Sequence, residues 1–213
     1  MKTITITKDI FKFDELSDDA KETAREWWRS CENADSFFSE NVYEDAATIA
    51  ELFGLDIRTR PVKLMNNTVR HDPAIYYSEF SSQGDGACFE GDYRYKKGAL
   101  KAVKSYAPKD TDLHEIVKSL QDIQKANFYQ LTASTRHSGH YYHSGCMSVD
   151  VERNDDKEMT VNAEDDITQL LREFADWIYK RLEAEYDYIM SDENVDENII
   201  INEYDYDVDG NIA

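Results

Sequence analysis

A regular apolar repeat between residues 163 and 190 constrains the fold more strongly than any other feature of this 213-residue chain. The apolar side chains recur at helical steps and project onto one broad face at about 100° per residue, with acidic side chains almost opposite. The pattern predicts an amphipathic helix over residues 163–190, about 40 Å long at ~1.5 Å per residue, with Asn162 as its N-cap. The apolar positions are Ile167, Leu170, Leu171, Phe174, Trp177, Ile178, Leu182 and Ile189.

The rest of the chain mixes further helices with short strands. Ser17 is predicted to cap a helix, and Gly54 to follow the end of a second helix over residues 39–53. Two more helices are predicted over residues 98–106 and 113–123. Strand patterns are predicted over residues 4–13 (one or two strands), 55–60, 75–80, 89–95, 130–137 and 141–152, the last two as a hairpin about Ser138-Gly139, with a loop over 61–73.

This order of elements lacks strand–helix–strand crossover spacing and predicts an α+β fold, an antiparallel sheet packed with several helices. With only 3 Pro and 8 Gly, no stretch forms a linker. We therefore predict a single domain over residues 1–192 and a partly ordered acidic extension over residues 193–213.

The charge of the chain is sorted along its length. Residues 14–53 carry 12 acidic and 3 basic side chains, residues 54–150 carry 11 and 13, and residues 151–213 carry 20 and 5. A net charge of −20 repels nucleic acid and anionic membranes and attracts basic surfaces. No run approaches a membrane span, the N-terminus does not match a signal peptide, and three scattered cysteines suggest reduced thiols. A cytoplasmic protein is expected.

The acidic side of the predicted 163–190 helix is the first candidate site. Carboxylates on adjacent turns lie ~5–6 Å apart, a spacing comparable to that of nucleic-acid phosphates. We predict that this face binds a basic, nucleic-acid-binding protein. Lys180 and Arg181 interrupt the face, and the alternative is a solvated surface that keeps the protein soluble. The partner-binding residues predicted are Glu173, Asp176, Glu183 and Asp187.

The glycine-spaced segment over residues 81–91 is the second candidate. Gln83, Asp85 and Glu90 could hydrogen-bond a small ligand such as a nucleotide, as a sponge or an enzyme. The spacing matches neither a P-loop nor a dinucleotide fingerprint. The alternative is a tight structural turn between Phe80 and Phe89.

Two further patterns could bind metal, but each has a structural alternative. His137, His140, His143 and Cys146 recur every third residue, which alternates faces on a strand, so a tyrosine- and histidine-rich strand surface is expected instead. Asp205, Asp207 and Asp209 match the start of an EF-hand loop, yet the twelfth-position Glu is missing and a turn over residues 208–211 is expected. No catalytic triad can be assembled, and we predict neither metal nor cofactor.

Three stretches resemble a family of small uncharacterised proteins of bacteriophages and prophages, sometimes labelled antitoxin-like. They read FDELSDDAKETAREW (residues 13–27), FSSQGDGACFEG (80–91) and SGHYYHS (138–144). The resemblance implies action inside a host cell. The function expected is inhibition of a host defence or nucleic-acid-binding protein, and an antitoxin role is the alternative.

Overall fold

A computed structural model describes residues 8–32, 37–82, 84–155 and 157–213. The predicted α+β class, with its long C-terminal helix, is confirmed. The helices are α1 (Asp18–Glu32), α2 (Phe37–Phe53), α3 (Ala99–Tyr106), α4 (Thr111–Ala126), α5 (Ala163–Ile189) and α6 (Asp192–Ile201), with 3-10 helices at Phe13–Glu15 and Ser144–Cys146. The strands are β1 (Leu55–Ile57), β2 (Thr59–Lys63), β3 (Val69–Pro73), β4 (Ile75–Tyr77), β5 (Ala87–Phe89), β6 (Gly91–Arg94), β7 (Leu131–His137) and β8 (Met147–Arg153).

The described residues form two compact units. We call residues 40–183 the central unit, and the described residues up to 39 together with 184–213 the terminal unit. The sequence predicted a domain over 1–192 with an extension over 193–213, whereas the contacts group residues 184–213 with the N-terminal part of the chain. None of the helices that the structure describes is long and apolar enough to cross a membrane.

An antiparallel sheet in the order β1–β6–β7–β8 organises the central unit. Its register aligns Leu55, Tyr93, Ala133 and Val151 in one buried row across all four strands. Because successive strand residues point to opposite faces, the next row is polar and consists of Asp56, Asp92, Ser134 and Asp150. The sheet therefore has one face in the core and one polar face.

Helix α5 begins and ends within one residue of the predicted bounds. Most of its apolar stripe is buried, with Leu170 and Ile189 only partly buried, and the Phe174 ring lies 5.0 Å from that of Phe53 and 5.8 Å from that of Phe89. Trp177 Nε1 donates a 2.8 Å hydrogen bond to Asp110 Oδ2, at the start of α4. These contacts fix which side of α5 faces away from the core.

Two hairpins correct the strand predictions between residues 55 and 95. The segment predicted as a loop over 61–73 contains β2 and β3, which pair from Thr59–Pro73 to Lys63–Val69. Pro61 is tolerated because this sheet has only two strands, so the proline interrupts no central ladder. The strand predicted over 89–95 is confirmed in β6 but is not continuous. It is broken at Glu90, since β5 pairs with β4 and β6 with β1 and β7.

The terminal unit is built on a small apolar core. The strand predicted near Phe13 is wrong, because Phe13 starts a 3-10 helix and its buried ring packs 6.4 Å from that of Tyr206. Phe11 forms only an isolated bridge with Tyr206, and the strand predicted at Ile4 and Ile6 lies outside the described residues. The predicted cap is confirmed, since Ser17 Oγ accepts from the Ala20 amide at 3.3 Å. The core comprises Phe13, Leu16, Ala20, Ala24, Val195, Ile199 and Tyr206.

Basic side chains of the N-terminal segment pair with the acidic C-terminal segment inside this unit. Arg25 binds Asp196 through two hydrogen bonds, at 2.6 and 2.7 Å. Arg29 pairs with Asp192, and Lys12 Nζ lies 2.8 Å from Asp205 Oδ1. Much of the acidic charge after residue 190 is therefore matched within the fold.

The last residues pack closely against α1. Gly210 has φ +87°, and a Cβ at this position would lie 2.0 Å from the Ala20 carbonyl oxygen. The turn predicted over 208–211 is confirmed, with the Gly210 amide donating to Asp207 O at 3.1 Å. Asp207 Oδ1 accepts from the amides of Asp209 and Asn211, which commits this carboxylate to the turn.

Candidate functional site

Three of the four predicted partner-binding residues lie on the side of α5 opposite its buried stripe, in the central unit. Asp176 and Glu183 are exposed, and Glu173 is half-buried. We call Glu173, Asp176 and Glu183 the acidic face. Asp187 is also exposed, on a later turn of α5 that belongs to the terminal unit.

Within the part of the chain that the structure describes, the carboxylates of this face have no cationic partner. Among the described residues, none of the three and neither oxygen of Asp187 lies within 4.0 Å of a basic group, and Glu173 only accepts from Gln169 Nε2 at 3.1 Å. Lys180 is exposed on the same side of the helix and interrupts it. The face nonetheless differs from Asp192, Asp196 and Asp205 of the terminal unit, which pair with basic side chains.

A cleft of about 1000 Å³ lies beside two loops of the central unit. The first loop joins β4 to β5, and the second joins β7 to β8. We call it the tyrosine cleft. Its lining residues are Tyr77, Ser78, Glu79, Ser82, Gly84, Asp85, His140, Tyr141, Tyr142, His143 and Cys146.

The first loop is held by its own hydrogen bonds. Asp85 Oδ2 accepts from the amides of Ser81 and Ser82, at 2.9 and 2.5 Å. Ser78 Oγ accepts from the Gly86 amide at 3.0 Å and donates to Tyr142 O at 3.3 Å, which ties this loop to the second one. Asp85 is thus both part of a structural turn and a wall of the cleft.

Asp85 and Glu90, the two predicted ligand-binding residues that the structure describes, do not share the tyrosine cleft. Glu90 follows β5, where its backbone bonds to Ala74 and Arg58, and it does not line the tyrosine cleft. Gln83 lies outside the described residues. Of the predicted set, only Asp85 is placed at the cleft.

The second loop replaces the predicted two-residue hairpin turn and the strand surface over 141–146. The register pairs His137 with Met147, so residues 138–146 form the connection. His137 bonds to Tyr141 O at 3.0 Å, and His143 Nδ1 accepts from the Gly145 amide at 2.9 Å. These side-chain bonds stabilise a longer loop. Since Nδ1 accepts, the neutral His143 ring carries its proton on Nε2.

The residues that recur every third position are separated by this loop. The His137 ring packs at a tilt against that of Tyr142, at 5.2 Å between ring centroids, whereas His140, His143 and Cys146 line the cleft. Within the described part of the chain, no three His, Cys, Asp or Glu side chains are grouped as metal ligands. Burial raises the pKa of the neighbouring Cys88 thiol to about 12, so this thiol stays protonated at neutral pH.

Tyr179 connects the tyrosine cleft to the acidic face. Its hydroxyl donates to Glu79 O at 3.2 Å. The pKa of Tyr179 is raised first by burial and then by the negative charges of Asp85 and Glu183. One phenol therefore has a carboxylate of the cleft and a carboxylate of α5 as neighbours.

Sequence reasoning missed the first half of the cleft wall. Tyr77, Ser78 and Glu79 carry no motif, and only contact between the two loops reveals them. The signal available was the distinctive composition of the stretches over 80–91 and 138–144, which the fold brings together.

Residues 38–192 match the model of a protein family described as a domain of unknown function, DUF8835. No curated protein and no solved structure matches the chain.

Proposed function

Since this chain belongs to the DUF8835 family, whose function is unknown, we propose a function from its own surface: it binds a basic, nucleic-acid-binding protein through the acidic side of α5 and inhibits it. The observation that carries the proposal is a set of carboxylates without cationic partners among the described residues: half-buried Glu173, exposed Asp176 and Glu183, and Asp187 as the fourth predicted residue.

Two physical features favour binding over simple solvation. The apolar stripe anchors α5 in the core, so the carboxylates are presented at fixed spacing and a partner loses little entropy in ordering them. These carboxylates also form no ion pair with a described residue, unlike Asp192 and Asp196, which pair with arginines. A basic surface would be attracted over a range of about 8–10 Å at physiological salt.

The spacing of these carboxylates supports nucleic-acid mimicry. Groups one helical turn apart, such as Glu173 and Asp176, are separated by about 5–6 Å, close to the phosphate spacing of a strand. A groove that binds phosphates with Lys and Arg would accept them. The resemblance to phage and prophage proteins directs the search to bacterial nucleases and restriction complexes.

The test is capture from bacterial lysate followed by identification of the bound protein. We expect the wild-type protein to retain a basic, nucleic-acid-binding protein at about 0.05 M salt and to release most of it at about 0.5 M, because screening shortens the electrostatic range. The neutralised variant E173Q/D176N/E183Q/D187N should retain about tenfold less.

A matched control removes four charges elsewhere. Its positions are exposed and without ion pairs among the described residues, and the variant is D9N/E115Q/E152Q/E158Q. We expect this control to retain the partner like the wild type. Equal loss in both variants, or retention that does not change with salt, would count against a specific acidic face.

The tyrosine cleft offers a place for a small ligand, as the alternative hypothesis requires, but its described lining has no basic group for a phosphate. Among the described residues that line the tyrosine cleft there is no Lys or Arg, while Glu79 and Asp85 are present. A nucleotide would place its phosphates beside carboxylates. The observations therefore favour a partner-binding function.

A further inference from the structure

We propose that the tyrosine cleft binds a cationic side chain, the guanidinium or ammonium group of an Arg or Lys, supplied by the basic partner. The inference rests on the proposed function and deepens it, because it names the anchor point of the partner. It commits to a protein side chain rather than to a free small cation.

The lining of the cleft combines the two kinds of group that recognise organic cations. Tyr141 is 69% exposed and Tyr142 is 37% exposed, so their rings are available at the cleft wall. Aromatic faces attract a cation through their quadrupole. Glu79 and Asp85 add negative charge on the side of the first loop. No cation of the described lining competes for these groups.

Both carboxylates retain acceptor capacity. Asp85 uses Oδ2 for the amides of Ser81 and Ser82, while Oδ1 has no hydrogen-bond partner among the described residues. The Glu79 carboxylate is exposed and accepts no hydrogen bond from a described residue, whereas the Glu79 backbone oxygen accepts from Tyr179. A guanidinium could therefore stack on a tyrosine and donate to a carboxylate at the same time.

The chain already uses this chemistry next to the cleft. The Arg60 guanidinium lies 4.8 Å from the centroid of the Tyr76 ring. Tyr76 in turn stacks on Tyr142, with centroids 5.4 Å apart and planes inclined by 13°. Arg60, Tyr76 and Tyr142 thus form a stacked series that ends at the wall of the cleft.

The position of the cleft suits a basic segment. Tyr179 of α5 donates to the backbone of Glu79 in the cleft wall, and Glu183 of the acidic face lies one helical turn after Tyr179. A partner segment with several basic residues could insert one side chain into the cleft and oppose the others to α5. The two sites would then add their binding free energies in one interface.

The experiment is an NMR titration of the whole protein with a defined probe, the capped peptide acetyl-Gly-Arg-Gly-amide, against its Gln counterpart. We expect the Arg peptide to shift resonances of both loops and the Gln peptide not to do so. Tyr141→Leu and Glu79→Gln should each weaken binding about threefold or more, whereas Tyr141→Phe, which keeps the aromatic face, should bind like the wild type.

Several results would overturn the assignment. Equal binding of the Arg and Gln peptides, or binding unaffected by Tyr141→Leu and Glu79→Gln, excludes a cation site in the cleft. Spermidine binding without peptide binding excludes a protein side chain as the occupant. Tyr141 is a surface residue, so loss of folding does not complicate these variants.

The same variants separate this inference from the proposed function. Partner capture that persists in Tyr141→Leu but is lost in E173Q/D176N/E183Q/D187N overturns the cleft alone. If the Arg peptide binds at the cleft but no partner is captured in a salt-sensitive way, the cleft inference stands and the proposed function of the acidic face is overturned.

Discussion

Replacing Tyr206 with alanine should lower the free energy of unfolding by about 3–5 kcal/mol, the loss typical of a large buried aromatic. Tyr206 is fully buried in the terminal unit, contacts the Phe13 ring, and exchanges two 2.9 Å backbone hydrogen bonds with Phe11. Urea denaturation followed by circular dichroism would measure the loss. Hydrogen exchange should show the greatest loss of protection in α6 and in the first half of α1.

Tyr206→Phe is the matched control. The Tyr206 hydroxyl is buried without a hydrogen-bond partner among the described residues, so its removal should leave stability unchanged or raise it by about 1 kcal/mol. If alanine and phenylalanine cost the same, or if alanine costs less than about 1 kcal/mol, the C-terminal segment does not pack as described.

The same pair predicts a pH dependence. Burial raises the pKa of Tyr206 from 10.0 to about 12, so the native state keeps a proton that the unfolded state releases. The contribution of this group is therefore complete below pH 10 and is lost as pH rises toward about 12. Above pH 10, wild-type stability should fall more steeply than that of Tyr206→Phe.

Replacing Phe174 with alanine should cost the central unit about 3–5 kcal/mol. Phe174 is fully buried on α5, and its ring contacts those of Phe53, Phe89 and Trp177. Truncation would leave a cavity where α5 meets α2 and β5. Urea denaturation would give the loss, and hydrogen exchange should place it in α5 and β5.

Phe174→Leu serves as its control, because leucine fills much of the cavity and should cost about 1–2 kcal/mol. An alanine variant as stable as the wild type would mean that α5 is not anchored by this stripe. The rigid presentation of Glu173 and Asp176 would then lose its structural basis.

Five of the six described α-helices were predictable from sequence because their signals are local, whereas α6 was predicted only as part of a partly ordered extension. The α5 stripe repeats over about six turns, and Ser17 and Gly54 mark a helix start and a helix end in positions where the backbone requires them. Gly54 has φ +95°, and a Cβ there would lie 2.2 Å from Arg94 O. Such features need no knowledge of the rest of the fold.

The hairpins were less predictable because their strands lack a clean buried face. No residue of β2 is buried, so its sequence shows no apolar alternation. Without that signal, Pro61 indicated a loop. Between residues 87 and 94 the β pattern is nearly continuous, and nothing local shows that the chain changes sheet at Glu90. Strand pairing decides both cases: β2 pairs with the nearby β3, whereas β6 pairs with β1 and β7, which are more distant in sequence.

The two candidate sites likewise differ in how far local sequence predicts them. The acidic side of α5 follows from helical periodicity alone. The tyrosine cleft does not, because it depends on contact between two loops that are about sixty residues apart. The pairing of C-terminal carboxylates with N-terminal basic residues could not be predicted from sequence either, since Arg25 and Asp196 are 171 residues apart. Local charge counts alone cannot separate paired from unpaired carboxylates.

Displacement of nucleic acid tests the central claim most directly. The captured partner is first bound to a fluorescent DNA or RNA duplex, and anisotropy is followed as this protein is added. Wild-type protein and D9N/E115Q/E152Q/E158Q should release the duplex at similar concentrations, while E173Q/D176N/E183Q/D187N should need about tenfold more. Release by the neutralised variant at the wild-type concentration, or binding of the partner without any release, would contradict the proposal that the acidic side of α5 occupies a nucleic-acid groove.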